Sequence, residues 1–428
     1  MIFNKLQKTL LLFVTIFIMT GVVFAQADIS SPYSRFGLGS ISKNKNNTII
    51  QGMGGICNAM SGKRLLNSSN PASYAEIDSL TFLFDAGFYM KYTTYRTANE
   101  TEKGSDASFD YFDIGFGVTK WLKMGIGLTP YTNRSYSSTA EYDFDYPYSI
   151  DYEGTGGLNK LYWASGFKVY KGLSLGVKLN YVFGNITDET MVYYPEYVYF
   201  HNVKRTSNLN FSQVLFDLGL MYKHQLKNDY SITFGATYSI PSTMKAHRNT
   251  FIRTMFNGYG TLSESVRDTV YNKNSDRVTI NYPQSFGAGI AVQKGESWLI
   301  GIDFNWGNWE AFRINGVNDS LQNSWNVAVG GCFTPRNTHM SSYLRKMTYR
   351  AGFHYEQTYF NIYGTSINKY GVTFGFGMPI PRAMTSLNVS FDIGKMGTTH
   401  NGLIEESYFN ISFGVSIYDK WFTKRRYK

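Results

Sequence analysis

The sequence predicts an all-β fold: a 14-stranded antiparallel transmembrane β-barrel with an N-terminal hatch segment. Three observations carry this. Apolar and small or polar residues alternate with period two from about residue 80 onward, which puts successive side chains on opposite faces of strands. Charged residues make up 17% and aromatics 17% of the chain, whereas a soluble domain carries roughly 25% charged residues. Finally, short turns alternate with longer polar connections, the asymmetry of a membrane barrel.

The alternation is clearest near the C-terminus. Phe409, Ile411, Phe413, Val415 and Ile417 fall on one face, and Asn410, Ser412, Gly414 and Ser416 on the other. Leu387 to Ile393 and Ile232 to Ile240 repeat the pattern. A β-sandwich also alternates. Here one face is uniformly large and apolar and the other is Gly, Ser, Thr, Asn and charge, which suits lipid outside and a crowded lumen inside. Fourteen such segments have cores near 80–96, 108–119, 121–141, 156–170, 172–188, 206–225, 229–250, 270–293, 297–312, 323–334, 347–359, 368–378, 385–395 and 407–418. Tight turns are expected at 119–121, 170–172 and 294–296, and long polar loops at 97–107, 142–155, 189–205, 251–269 and 397–406. The connection 335–346 is longer than this pattern wants. Trp121, Trp298, Trp306, Trp309, Trp325 and Trp421 near segment ends fit either headgroup-level anchors or ordinary core residues.

Residues 1–25 read as a secretory signal: Lys5 and Lys8, an apolar stretch from Leu10 to Phe24, then Val23-Phe24-Ala25 for cleavage. The stretch is shorter than the roughly 18 residues of a spanning helix, which disfavours a retained anchor. The domain expectation is thus a signal (1–25), a hatch (26–79), a barrel (80–418) and a basic tail (419–428). The net charge of +10 comes with no basic helix or nucleic-acid module, so no nucleic-acid partner is expected. Cys57 and Cys332 are too few for a disulfide framework and read as small core residues.

Residues 26–79 do not alternate. Their Gly-rich pieces (SPYSRFGLGSIS, QGMGGICNAMSG, NSSNPASY) have few large apolar residues and are too small to fold alone. They precede the first strand and so start on the periplasmic side, either as a plug in the barrel or as a periplasmic appendage. Both termini are expected to be periplasmic.

Gln51-Gly52-Met53-Gly54-Gly55 to Ala59, Asn70-Pro71-Ala72, Tyr282-Pro283-Gln284-Ser285-Phe286-Gly287, Gly301-Ile302-Asp303-Phe304 with Trp309, and Gly352-Phe353-His354-Tyr355-Glu356 occur in this order. Together they resemble the FadL/TodX family of outer-membrane transporters for long-chain fatty acids and hydrocarbons. The resemblance covers roughly residues 35–418. It implies a hatch-plugged fourteen-stranded barrel in the cell outer membrane, in contact with its lipid. It also implies a hydrophobic small-molecule ligand that leaves sideways at a kink in the third strand, beside Asn70, Pro71 and Ala72. Ser73, Lys63 and Arg64 depart from the family pattern. The Ser31–Gly39 opening resembles a Bacteroidetes-type branch in which some relatives serve as protein-secretion scaffolds, implying a protein partner of a secretion system.

No hydrolase elbow, zinc-protease helix or phosphate-binding loop is present, so the chain does not read as an enzyme, and no metal or cofactor is expected. Parity places Lys91, Lys168, Lys178, Arg350, Asp303 and Glu356 in the lumen. There they either pair with one another and the hatch, or Lys91, Lys168, Lys178 or Arg350 meets an acyl carboxylate. Leu83, Tyr89, Tyr162, Leu215, Met221 and Leu299 share that parity, as pocket lining or as filler against the hatch. Gly125 and Gly127, inward on the third strand, and Pro130, which cannot donate to a ladder, mark the expected lateral gap. Three functions compete: a channel for hydrophobic or amphipathic molecules, a protein-binding scaffold, and a water-filled porin. The hatch and crowded lumen disfavour the porin.

Overall fold

The computed structural model describes residues 31–41, 47–194, 200–256, 265–319, 321–335, 342–381 and 385–420. The expected signal at 1–25 and most of the expected tail lie outside them. Nineteen strand segments form one sheet. They are β1 (Ser40–Ile41), β2 (Thr81–Arg96), β3 (Thr101–Gly117), β4 (Leu122–Asn133), β5 (Tyr136–Tyr142), β6 (Tyr148–Tyr170), β7 (Leu173–Tyr193), β8 (Asn202–Gln225), β9 (Tyr230–Ser239) and β10 (Ser242–Met255). There follow β11 (Val266–Tyr282), β12 (Ser285–Lys294), β13 (Trp298–Gly307), β14 (Arg313–Ile314), β15 (Ser324–Phe333), β16 (Thr348–Ile362), β17 (Thr365–Pro379), β18 (Thr385–Gly397) and β19 (Glu405–Lys420). The pairs β4/β5, β9/β10, β11/β12 and β13/β14 are each one barrel strand with a break, and β1 belongs to the N-terminal segment. Fourteen antiparallel barrel strands remain, as expected. The last closes on the first, from Lys420 opposite Thr81 to Glu405 opposite Arg96.

Register converts the period-two pattern into two continuous rows. Phe234, Ile290, Ile302, Val329, Phe353, Val372 and Ile393 are cross-strand partners in sequence around the wall. All point outward, and Ile302, for example, is 49% exposed. A continuous exposed apolar girdle of this kind belongs in lipid. One residue along each strand, Gly235, Gly289, Asp303, Ala328, His354 and Gly371 form the matching inward row. Trp121 and Trp163 are exposed on the outside, whereas Trp309, expected near a rim, is buried among Tyr282, Phe312 and Tyr359.

Much of the expected loops at 97–107, 142–155 and 189–205 is strand, whereas most of 397–406 is loop. β3 begins at Thr101, and β6, β7 and β8 run for 23, 21 and 24 residues. Crossing lipid needs only about 9–11 residues. These strands therefore stand well beyond the girdle, where no lipid demands an apolar outer face and the alternation that marks a membrane strand fades. Their projecting parts enclose a second apolar core containing Leu158, Val182, Ile186, Phe211, Ile280, Phe312 and Phe360.

The N-terminal segment completes that core. Tyr33 and Leu38 are buried in it. Ser31 Oγ donates to Glu406 at 2.5 Å, and Tyr33 Oη donates to the Ile404 carbonyl. Burial raises the Tyr33 phenol well above its ordinary value, which keeps it a donor. Ser31 thus lies at the long-strand end, whereas Lys420 lies at the tight-turn end. This corrects the expectation that the segment starts beside the C-terminus. Burying Tyr33 and Leu38 draws it to the far mouth, and residues 47–79 then run back through the lumen to β2.

The turns at 97–100 and 171–172 sit at opposite ends of the barrel. With the long-strand end facing outward, a membrane-impermeant maleimide should label Asn99→Cys in intact cells and Lys171→Cys only after permeabilisation. The reverse pattern would invert the orientation. Asn257, in the loop expected at 251–269, lies outside the described residues.

Candidate functional site

The lumen at girdle depth is filled by residues 47–79. Asn47 caps the short helix Thr48–Gln51, accepting from the Ile49 amide at 2.8 Å. Asn70 caps the 3-10 turn Pro71–Glu76, accepting from the Ala72 amide at 3.1 Å and donating to the Asn58 carbonyl at 2.6 Å. Asn-Pro-Ala is thus a cap, a proline in the first turn where no N–H is missed, and a small residue that lets backbone reach the wall. The approach is close: a Cβ added at Gly176 would lie 2.2 Å from the Ala72 nitrogen, and one at Gly235 1.8 Å from the Asn58 oxygen. Glycine is required at both.

Polar groups lock this packing. The Asp303 carboxylate accepts from the backbone amides of Cys57 at 2.5 Å and Asn58 at 2.7 Å. Lys178 meets Asp217 at 2.9 Å and the Ser68 carbonyl at 2.7 Å. Lys168 lies 3.4 Å from Glu76, and Lys91 lies 3.9 Å from Glu406. The Tyr74 and Tyr162 hydroxyls are 3.1 Å apart, and Tyr162 donates to Asp113 at 2.5 Å. Arg350 is set apart: among the described residues its Nε and Nη1 have no hydrogen-bond partner.

The expected pocket residues are mostly filler. Leu83 and Tyr162 pack with Leu66, Tyr74 and Ile77 of the hatch, and Leu299 packs with Met53, Ile56 and Met60. Met221 is buried, and Tyr89 donates to Asp106 at 2.9 Å. Leu215 joins the outer core and also lines a cavity.

Among the described residues, two of the cavities between hatch and wall stand out. One, of about 180 Å³, is charged; Tyr89, Lys91, Lys369, Asp392, Glu356 and Glu406 line it. The other, of about 230 Å³, is amphipathic. Lys160, Lys178, Asn180 and Asp217 form its polar side, and Tyr131, Leu215, Tyr282 and Trp309 its apolar side. It reaches the wall at Pro130 and at Phe216, Ile240 and Phe286, whose side chains are 45%, 38% and 45% exposed. Among the described residues no cluster of three or more His, Cys, Asp or Glu is arranged to hold a metal ion.

The wall is interrupted beside this cavity. β3 and β4 pair only from Gly117↔Lys123 to Phe112↔Leu128. Beyond that point β4 bulges between Pro130 and Thr132, and β1 takes its free edge, Ile41 opposite Thr132 and Ser40 opposite Asn133. The break starts about 20 Å along the strand from the tight turn, hence at bilayer depth. A second interruption occurs where Pro241 splits β9 from β10. The Ile240 amide donates to the Phe216 carbonyl at 3.0 Å, and pairing with β8 resumes only at His247↔Asn210.

Of the residues expected at the lateral gap, only Pro130 lines the cavity. Asn70, Pro71 and Ala72 pack instead against Gly176 of β7 and Gly219 of β8. Gly125 and Gly127 are covered by Tyr74 and Tyr162. The turn runs along neighbouring strands of one side of the wall, laying Asn70–Ala72 on β7 and β8 and the Tyr74 ring on β4. The second interruption was not anticipated, although Pro241 and Pro283 inside two strands carry the same signal as Pro130.

The BamG family model matches residues 6–428. No curated protein matches the sequence. Among solved structures, the Ralstonia pickettii toluene transporter TbuX is similar with a TM-score of 0.57 at 13% identity, covering 88% of this chain and 99% of that one. The Pseudomonas putida toluene transporter TodX gives a TM-score of 0.57 at 15% identity, covering 88% and 99%. At these identities the likeness is one of fold, and it is the plugged fourteen-stranded fold that the FadL/TodX resemblance implied.

Asp303 offers a direct probe of the lock. Asp303→Asn keeps the shape but removes the charge that receives two hatch amides, each bond being worth about 1.5–3 kcal/mol. The urea unfolding midpoint should fall, and protease should cut within 47–79 sooner than in the wild type. An unchanged midpoint and cleavage rate would show that the hatch is held by packing alone.

Proposed function

The chain belongs to the BamG family, and we propose that this barrel exchanges hydrophobic or amphipathic small molecules, fatty-acid-like in character, between the outer-membrane bilayer and its lumen. The observation that carries this reading is the amphipathic cavity beside two interruptions of the wall. Lys160 and Lys178 suit an acidic head group, and Leu215, Tyr131 and Trp309 suit an apolar tail. The outer core seals the mouth, so entry and exit are lateral, at Pro130 on one side and at Phe216 and Ile240 on the other. Residues 26–79 serve as the hatch, 80–418 as the barrel and 419–428 as a basic tail, and no catalytic step is involved. Toluene, carried by TodX and TbuX, exemplifies the apolar end of this ligand range.

The sealed mouth favours a second reading. An apolar core built with the protein's own N-terminal segment leaves the top of the barrel closed, and the strands around it extend far past the girdle. Such a barrel suits a scaffold that holds a protein partner in a secretion or surface-assembly system.

Filling the cavity with Leu215→Trp separates the two. Under the channel reading, uptake of radiolabelled oleate falls toward the level of cells lacking the protein while the surface amount stays normal. Mass spectrometry of lipid extracted from the wild type finds an amphipathic ligand that the variant lacks. Unchanged uptake, no extracted ligand and a stably co-purifying protein would replace the channel with the scaffold.

A further inference from the structure

The far tip of the β5–β6 hairpin and the neighbouring end of β7–β8 present an aromatic cleft that neither the hatch nor the girdle uses. Tyr142 stacks on Tyr148 with ring centres 4.9 Å apart, Tyr148 lies 5.9 Å from Tyr194, and Phe200 lies 5.3 Å from both Tyr146 and Tyr194. The open cleft between these rings, Phe144, Asp143 and Asp145 measures about 730 Å³. Phe144 is 66% and Tyr146 55% exposed. The tip lies at the outer end of a 23-residue strand, beyond the lipid-facing girdle, so these rings meet water or a partner rather than acyl chains.

Charge selects the partner. The whole chain is +10, yet residues 135–159 of the β5–β6 hairpin hold five carboxylates and no Lys or Arg. On the neighbouring strands Asp188 is paired with Arg134 and Glu189 with Lys204 at 2.8 Å, so the unspent acidic charge is that of the hairpin tip. The same strands show lower down what such a surface binds. Arg134 lies over the Tyr136 ring at 5.6 Å while its guanidinium forks onto Asp188 at 2.7 and 3.0 Å. Arg35 lies over the Tyr152 ring at 4.4 Å. In both places an aromatic face holds a guanidinium, and at Arg134 a carboxylate shares it. The β5–β6 tip repeats the rings and carboxylates, with no Lys or Arg of its own between residues 135 and 159.

We propose that this cleft is a docking site for an extended, arginine- or lysine-bearing segment of a protein partner outside the membrane, the cations seated on Phe144 and Tyr146 and paired with Asp143 and Asp145. The inference is independent of the lumen: it stands whether the barrel is a channel or a scaffold.

The test uses the purified full chain in detergent and a fluorescein-labelled hexa-arginine peptide, read by anisotropy, with hexa-glutamate and maltohexaose as comparison ligands. Non-specific attraction works against the result, because the protein is itself cationic. Hexa-arginine should bind with an affinity that falls as salt rises. Phe144→Ala with Tyr146→Ala, which leaves charge unchanged, should weaken it by about tenfold, as should Asp143→Asn with Asp145→Asn. Asp229→Asn, in a turn at the opposite end, should leave it unaltered. Absence of hexa-arginine binding, equal binding by all variants, or binding of maltohexaose instead would each overturn the proposal, the last identifying the cleft as a glycan platform.

Discussion

At bilayer depth no backbone N–H or carbonyl can go unpaired, and the rest of this structure follows from that demand. It closes β19 on β2 over their whole lengths. It also governs what happens where proline removes a donor. Past Leu128 the third barrel strand leaves its neighbour, and the edge it exposes is taken by Ser40 and Ile41 of the N-terminal segment. The plug is therefore part of the wall as well as its contents.

The lumen obeys the complementary demand, that buried polar groups be paired and space be filled. Inward glycines such as Gly176 and Gly235 admit backbone rather than side chains. The amides that arrive there find acceptors, above all the Asp303 carboxylate. Most of the charges and apolar groups facing the lumen are spent on this packing. What is left for a ligand is the amphipathic space by Pro130 and Leu215, where the wall is least continuous.

The strand number and facing were legible because lipid imposes a strict rule on each outward position; Ile290, Ile302 and Val329 could be read by parity alone. Beyond the membrane the rule lapses. Residues 142–155 and 189–205 looked like loops because the strict alternation of large apolar and small or polar residues is lost there, although 149–155 pair with 187–193 and 189–192 with 203–206. The cap at Asn70 and the inward glycines were visible as residues, but which wall they would meet depended on the path of the hatch. That path depended on Tyr33 and Leu38 finding an apolar core assembled from many distant strands, among them β6, β8, β11 and β16, and no local pattern announces such a core. Pro130 stood out in the sequence because it cannot donate to a ladder; Pro241 carried the same information and was passed over within a long alternating segment.

The central claim is that the N-terminal segment is integral to the folded barrel from one end to the other. Hydrogen exchange on the purified protein in detergent, resolved by peptide mass spectrometry, tests it most directly. The account predicts that peptides covering Ile50–Asn58 and Asn70–Ile77 exchange as slowly as those of the girdle strands, because their amides are bonded inside a closed wall. Exchange of these peptides at the rate of the exposed turn at 97–100, with the strands still protected, would contradict it and make the segment an appendage.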